Sequence, residues 1–295
     1  MDWPLWEKKI LELTAKFPGK TTANKLGAMV AGSTKEQLDG LLLEGFAGFV
    51  HQTAFLARVR TPADIIGIFA DAPRNGDIDL LLRISQVDAN PVRGRFLVFI
   101  KRRMEFVGSQ DAGFLSFDIP FPVAIHVTGN ILIVQVMTMQ SGISTWGRII
   151  GQRFRKKLTV VRADYFHEKT MGFIVAAGGE SPKYIDCSRR AVELMKSNRV
   201  DTFGGRYSAG LDGDTTYRTI RGKGKRALRE SRLKDFNSLI GATHILNAEL
   251  VFKAAHADLE AGSKVALYPN VGKVSFRSNL EGCDPDEFLK KLATT

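Results

Sequence analysis

Two runs of apolar and β-branched residues, 123–127 (Val-Ala-Ile-His-Val) and 131–136 (Ile-Leu-Ile-Val-Gln-Val), stand on either side of Thr128-Gly129-Asn130. So short a connection leaves room only for a tight reversal, and glycine beside asparagine supplies the backbone freedom such a turn requires. The two runs are thereby committed to neighbouring antiparallel strands. A lone hairpin is marginal in water and needs further strands or helix cover to bury a face. Residues 65–69, 78–84 and 96–100 supply candidates, being short, apolar and rich in Ile, Val, Leu and Phe. The middle of the chain is expected to be mostly sheet.

The residues before it carry a helical period. Leu5, Trp6, Ile10, Leu13 and Phe17 recur among charges over 3–17, ahead of Pro18-Gly19. Thr21 and Thr22 open a second helix with Leu26, Met29 and Val30 on one face, and Gly32-Ser33 breaks it. Ser33 and Glu36 then have the spacing of a capping box before Leu38, Leu41, Leu42 and Phe46. Beyond the hairpin, 144–158 reads as a helix with Trp146, Ile149, Ile150 and Phe154, 172–177 as a strand, and 188–196 as a helix. Residues 201–224 mix Gly, Thr, Asp, Tyr and Arg without a period, as expected of a long loop. A strand at 248–254, a hairpin of 264–268 with 273–276, and a helix at 285–292 capped by Asp284 complete the chain. The expected class is α+β: short N-terminal helices, a mainly antiparallel sheet, then a basic mixed α/β half. A shift to more basic composition places a boundary between 1–143 and 144–295.

At 44% hydrophobic and 25% charged, the 295-residue chain falls among globular proteins and outside the disordered class. Its longest apolar runs, 131–137 and 172–177, stop far short of the roughly 20 residues that cross a bilayer. Charged residues interrupt the opening nine positions, where a secretory signal needs an unbroken apolar stretch. A cytoplasmic location with no membrane partner is expected. Cys187 and Cys283, in unrelated contexts, build neither a disulfide framework nor a cysteine zinc site, and read as reduced packing residues. The net charge of +11, from 42 Lys and Arg against 31 Asp and Glu, favours an anionic partner. Nucleic acid is the first expectation, and an acidic protein docked to a scaffold subunit of a larger complex is another.

The cations concentrate in two places. Arg148, Arg153, Arg155, Lys156, Lys157 and Arg162 follow the helix expected at 144–158, where they can track phosphates. Arg218, Arg221, Lys223, Lys225, Arg226, Arg229, Arg232 and Lys234 form a denser run, with Gly222 and Gly224 allowing close backbone approach and Tyr207 and Tyr217 placed to stack on bases. Such a surface needs no cofactor. In addition, Thr21–Leu26, the break at Gly32-Ser33 and the following Leu38, Leu41 and Leu42 resemble a helix-turn-helix, which implies Ser33, Thr34, Lys35 and Gln37 as base readers.

A catalytic alternative rests on Gly76-Asp77-Ile78-Asp79-Leu80, which resembles the acidic strand of nucleotidyltransferases. Two carboxylates one residue apart face the same side of a strand. The resemblance implies that Asp77 and Asp79, with Glu105 as a third carboxylate, hold magnesium against a triphosphate. Ile68 stands where that family carries a phosphate-binding Ser or Gly. The five histidines are dispersed without paired ligand spacing and read as local structural residues.

Overall fold

The computed structural model describes residues 14–34, 37–38, 52–71, 80–87, 93–107, 114–137, 163–208, 217–224, 226–257, 259–277 and 285–294. The protein is α+β. In chain order the elements are α1 (Thr22–Gly32), β1 (Gln52–Arg58), α2 (Pro62–Asp71), β2 (Leu80–Val87), β3 (Arg93–Val107), β4 (Phe114–Thr128), β5 (Ile131–Met137) and α3 (Ala163–Ala176). There follow β6 (Lys183–Tyr184), α4 (Ser188–Lys196), β7 (Val200–Ser208), β8 (Tyr217–Arg221), α5 (Leu228–Ser231), α6 (Leu233–Ile240), β9 (Ile245–Phe252), β10 (Lys264–Tyr268), β11 (Lys273–Phe276) and α7 (Asp286–Ala293).

The strands form one antiparallel sheet in the order β2-β3-β4-β5-β1-β11-β10-β9-β7-β8, with β6 pairing beside β1. The β4–β5 hairpin turns at Gly129 and Asn130 as expected, with Thr128 opposite Ile131 and Gly129 at φ 54. β1 is the joint. Along one edge it pairs with β5, from Gln52 opposite Met137 to Arg58 opposite Ile131. Along the other it pairs with β11 at Thr53–Phe55 and then with β6 at Ala57 and Arg58. Strands from both sides of the boundary expected near 143 thus share one sheet.

Alternation along β1 sends its side chains into two cores. Phe55 and Ala57 join Val98, Ile125 and Val134 under α2 and α3, which supply Ile65, Phe69 and Ile174. Ala54 and Leu56 join the opposite core, built from Leu250, Val265, Val274 and Phe276 with Met195 of α4, Leu239 of α6 and Phe288 of α7. The helices therefore lie on one face over β2–β5 and on the other over β7–β11.

Four local expectations are corrected. Residues 65–69 lie in α2, because Pro62 and Asp64 suit a first helical turn and Ile65, Ile66 and Phe69 fall on its buried side. Residues 172–176 close α3, whose end is a left-handed Gly178 (φ 85) with Gly178 and Gly179 amides donating to Val175 and Ile174 carbonyls. The Gly178-Gly179 turn is thus a helix exit. Residues 201–208 and 217–221 are strands, with irregular register at Thr202/Gly204 and Arg206/Tyr207 that hid their period. Gly205 is needed there because a Cβ would stand 2.8 Å from Leu239 Cδ2 of α6. The capping box falls one residue later than expected: Thr34 N–H donates to Gln37 Oε1 at 2.9 Å, and Gln37 N–H to Thr34 Oγ1 at 3.3 Å. α4 spans 188–196 and the β10–β11 hairpin closes through Pro269–Val271, both as expected, while Asp284 lies outside the described residues.

Asp286, in the first turn of α7, ties the C-terminal helix to the far strands. Its carboxylate lies 3.1 Å from His126 Nδ1, 3.2 Å from Arg95 and 2.8 Å from Lys290. Arg95 and His126 are cross-strand partners on β3 and β4. The His126 approach is close but poorly aligned for a hydrogen bond. Burial opposes the carboxylate's ionisation, but His126 and Lys290 overcome it and hold Asp286 well below the usual carboxylate range. Buried Cys187 is a packing thiol: burial, then the Asp186 charge, pushes it up to about 12.

Because the folded value of Asp286 is depressed, its stabilisation is complete above the ordinary carboxylate value of about 4 and erodes as pH falls below it. Asp286→Asn should cost about 3 kcal/mol at neutral pH and flatten the acid limb of the stability profile, read by urea unfolding across pH. A second pair of variants separates conformation from space. Gly129→Ala, at φ 54 with nothing near its missing Cβ, should cost about 1–2 kcal/mol. Gly272→Ala, at φ 57 with Leu56 O only 2.6 Å and Ile185 O 2.8 Å from that position, should cost at least twice as much in the same assay.

Candidate nucleic-acid interface

Over β7–β11 the helices occupy one face, and strand alternation decides what the other presents. Val265 and Leu267 point into the core, so Lys264, Ala266 and Tyr268 point away from it, with Ala266 itself buried at 1% exposure; Val274 and Phe276 leave Lys273, Ser275 and Arg277 opposite. On β8 the buried Ile220 leaves Tyr217, Thr219 and Arg221 facing outward. Past the irregularities in β7 and β9, Gly204, Arg206, Asn247 and Glu249 fall on the same side. Among the described residues, the helices seated on this side, α2 and α3, lie over β2–β5.

Register assembles these side chains into rows. Arg221, Gly204 and Glu249 are successive partners, as are Thr219, Arg206 and Asn247. Glu249 continues to Ala266 and Ser275, and Tyr268 to Lys273 and Phe55. The Arg206 guanidinium sits 5.0 Å from the centre of the Tyr217 ring, which is 50% exposed. Lys273 Nζ lies 5.4 Å from the Tyr268 ring and 5.3 Å from Phe55. Arg277 reaches Glu249 at 3.4 Å, and Lys253 reaches Asp201 at 2.8 Å. A Cβ at Gly204 would meet Glu249 Oε2 at 3.3 Å and Arg221 Cγ at 3.5 Å, so the bare backbone there gives both side chains room. At the inner end His167 stacks on Phe55 at 3.9 Å and meets the Tyr184 hydroxyl at 3.3 Å. Beyond Tyr184 lies a cleft of about 600 Å³ lined by Arg58, Arg60 and Lys183 among others, in which Arg58 and Lys183 are cross-strand partners.

The residues singled out from sequence distribute unevenly. Tyr217 and Arg221 lie on the open face, and Arg218 is exposed on the same edge strand but on the alternate side. Lys223 and Arg226 are exposed in the turn after β8. The glycines of that turn serve its geometry: Gly224 has φ 61, and a Cβ at Gly222 would overlap the Arg226 carbonyl. Tyr207 is corrected. Its ring is 4% exposed within the core and has no face to offer a base. Arg229 is corrected as well. It donates to the Met195 and Lys196 carbonyls at 2.8 and 3.0 Å and to Asn198 Oδ1 at 3.2 Å, closing the C-terminal end of α4, and packs 5.0 Å over Phe236. Arg232 pairs with Asp235 at 3.5 Å, and Lys234 is exposed on α6. Thr34 and Gln37 are engaged in their capping box. Arg148, Arg153, Arg155, Lys156, Lys157, Arg162, Lys225, Lys35, Asp77 and Asp79 lie outside the described residues; Glu105 falls in β3 opposite Ser116.

Arg206, Lys264, Tyr268, Lys273 and Arg277 were not singled out from sequence. In β11 Val274 and Phe276 alternate with more polar positions, which contained the signal for Lys273, whereas β10 carries three consecutive buried apolar residues, Val265, Ala266 and Leu267, and Lys264 and Tyr268 stand only at its ends. Arg206 required the irregular strand β7 to be found first.

The assignment of Arg229 has a direct check. Arg229→Ala should lower unfolding stability by about 1.5 kcal/mol in denaturant titration, through lost hydrogen bonds to helix-end carbonyls, while leaving affinity for a polyanion such as heparin within twofold. No protein-family model matches the chain and no curated protein matches it, so the open face is read from its own chemistry.

Proposed function

We propose that this chain is a nucleic-acid-binding protein whose contact surface is the open face of β7–β11. The observation that carries the reading is the gathering of Arg206, Arg221, Lys264 and Lys273 with Tyr217 and Tyr268 on the side of the strands that the C-terminal helices leave bare. Guanidinium and ammonium groups neutralise phosphates and release counterions, the sequence-independent part of nucleic-acid affinity. The exposed Tyr217 ring and the half-buried Tyr268 ring add a stacking surface. The +11 net charge steers a polyanion toward the protein from a distance. Lys223 and Arg226 extend the cationic margin past β8, and Arg58 and Lys183 extend it past β1. No step in this reading requires a cofactor or a metal.

Affinity for labelled nucleic acid should therefore fall linearly as log salt rises. Replacing Arg206, Arg221 and Lys264 together by Gln should lower affinity and reduce the magnitude of that slope by about 0.7–0.9 for each phosphate contact removed. Fluorescence anisotropy across a salt series reads both quantities. An unchanged slope in the triple variant would move the contact surface elsewhere, and absence of binding at low salt would end the nucleic-acid reading, leaving an acidic protein as the partner to seek.

A further inference from the structure

Resting on that reading, we infer that the nucleic acid taken by this face is an unpaired strand whose bases lie against the sheet, with Tyr217 and Tyr268 as two separate stacking platforms. The middle of the face is the first reason. Between the cations of β7 and β8 on one side and those of β10 and β11 on the other stand Asn247 and Glu249, on β9. A duplex presents its phosphates outward, and pressed against this plane it would bring them onto the Glu249 carboxylate and its Arg277 partner, a pair with no net charge to hold a phosphate. An unpaired strand can turn its bases inward and its phosphates toward the flanking cations. Amide and carboxylate groups then meet base edges, where carboxylates accept from exocyclic amines and amides both donate and accept.

The rings are the second reason. Tyr217 on β8 and Tyr268 on β10 are separated by β7 and β9, three inter-strand spacings or about 14 Å across the sheet. Each has a cation within about 5.5 Å of its centre, Arg206 for Tyr217 and Lys273 for Tyr268. Bases in a duplex are already stacked on their neighbours and offer no free face to such rings. In a single strand the bases are free to stack on tyrosine or on a guanidinium plane, in a way that tolerates any sequence.

The test uses the full chain and labelled oligonucleotides of about 16 nucleotides, as single-stranded DNA, single-stranded RNA and the matching duplexes, with heparin as a base-free polyanion. Single strands should bind at least tenfold more tightly than duplexes at equal salt. Tyr217→Ala and Tyr268→Ala should each weaken single-strand binding about tenfold and heparin binding less than twofold, while Tyr→Phe at either position retains affinity. Tyr217 is exposed, so its variants report binding even where the more buried Tyr268 site perturbs folding. Duplex binding as tight as single-strand binding, or alanine variants that lose nothing on single strands, would overturn the inference while leaving the phosphate-binding surface standing. Failure of every oligonucleotide and of heparin to bind at low salt would remove that surface, and this inference with it.

Discussion

A strand covered on both faces has no side on which to hide a polar residue, and β1 is in that position. Ala54 and Leu56 point into one core, Phe55 and Ala57 into the other, and all four are buried. The two edges of β1 take strands from opposite ends of the chain, so neither half of the sheet closes without it. Gly272 lies so close to the Leu56 and Ile185 carbonyls that only a residue without a side chain fits between β1 and β6. One polar pair is made across this region, where the Thr53 and Ser275 hydroxyls bond between β1 and β11 at 3.1 Å, whereas the Gln135 amide opposite Ala54 is buried without a hydrogen-bond partner among the described residues. Double coverage at β1 follows from where the helices sit, since the helices from each half cover their own strands from opposite sides and overlap there.

That overlap produces the open face. An antiparallel sheet needs only one side packed to be stable, and can carry polar residues on the other. Had α4, α6 and α7 followed α2 and α3 onto the same side, Lys273 and Tyr268 would have faced a core. Instead α7 runs across the opposite side and is pinned at its start by Asp286, beside His126 and Arg95 of the distant strands. The exposed ion pairs on the open face contribute little stability by comparison, because solvent screens them and long side chains lose freedom in making them. Arg277 with Glu249 and Lys253 with Asp201 can therefore part at small cost.

How far the sequence could be read depended on period. The β4–β5 and β10–β11 hairpins and α4 were legible because turn residues bounded short apolar runs in the hairpins and a helical period in α4. α2 and α3 were misread because Ile65, Ile66, Ile174 and Val175 have strand propensity, while Pro62 and Asp64 in the first turn of α2, glycine at the exit of α3 and tertiary burial favoured helix. β7 was missed because two irregularities and the Gly204-Gly205 pair broke its alternation. At the candidate site, Tyr217, Arg218 and Arg221 could be found as a run, but Arg206 meets Asn247 only through strand pairing, and Lys273 meets Tyr268 only across a hairpin. Counting cations also overstates a binding surface: Arg229 belongs to the run, yet its guanidinium is engaged by the carbonyls at the end of α4.

The open face carries a hazard that the same residues answer. Among the described residues the sheet ends at β8, and an edge strand beside a bare face offers its unpaired backbone to any other chain. β8 is short, with Arg218 and Arg221 exposed on its two sides, and β7 beside it is twisted by its register irregularities. Charge at such an edge repels another copy bearing the same charge, while leaving it attractive to phosphate. On the proposed reading, the cations that would hold a polyanion also keep β8 from pairing with another chain, which is the protection an edge needs where, among the described residues, no helix covers it.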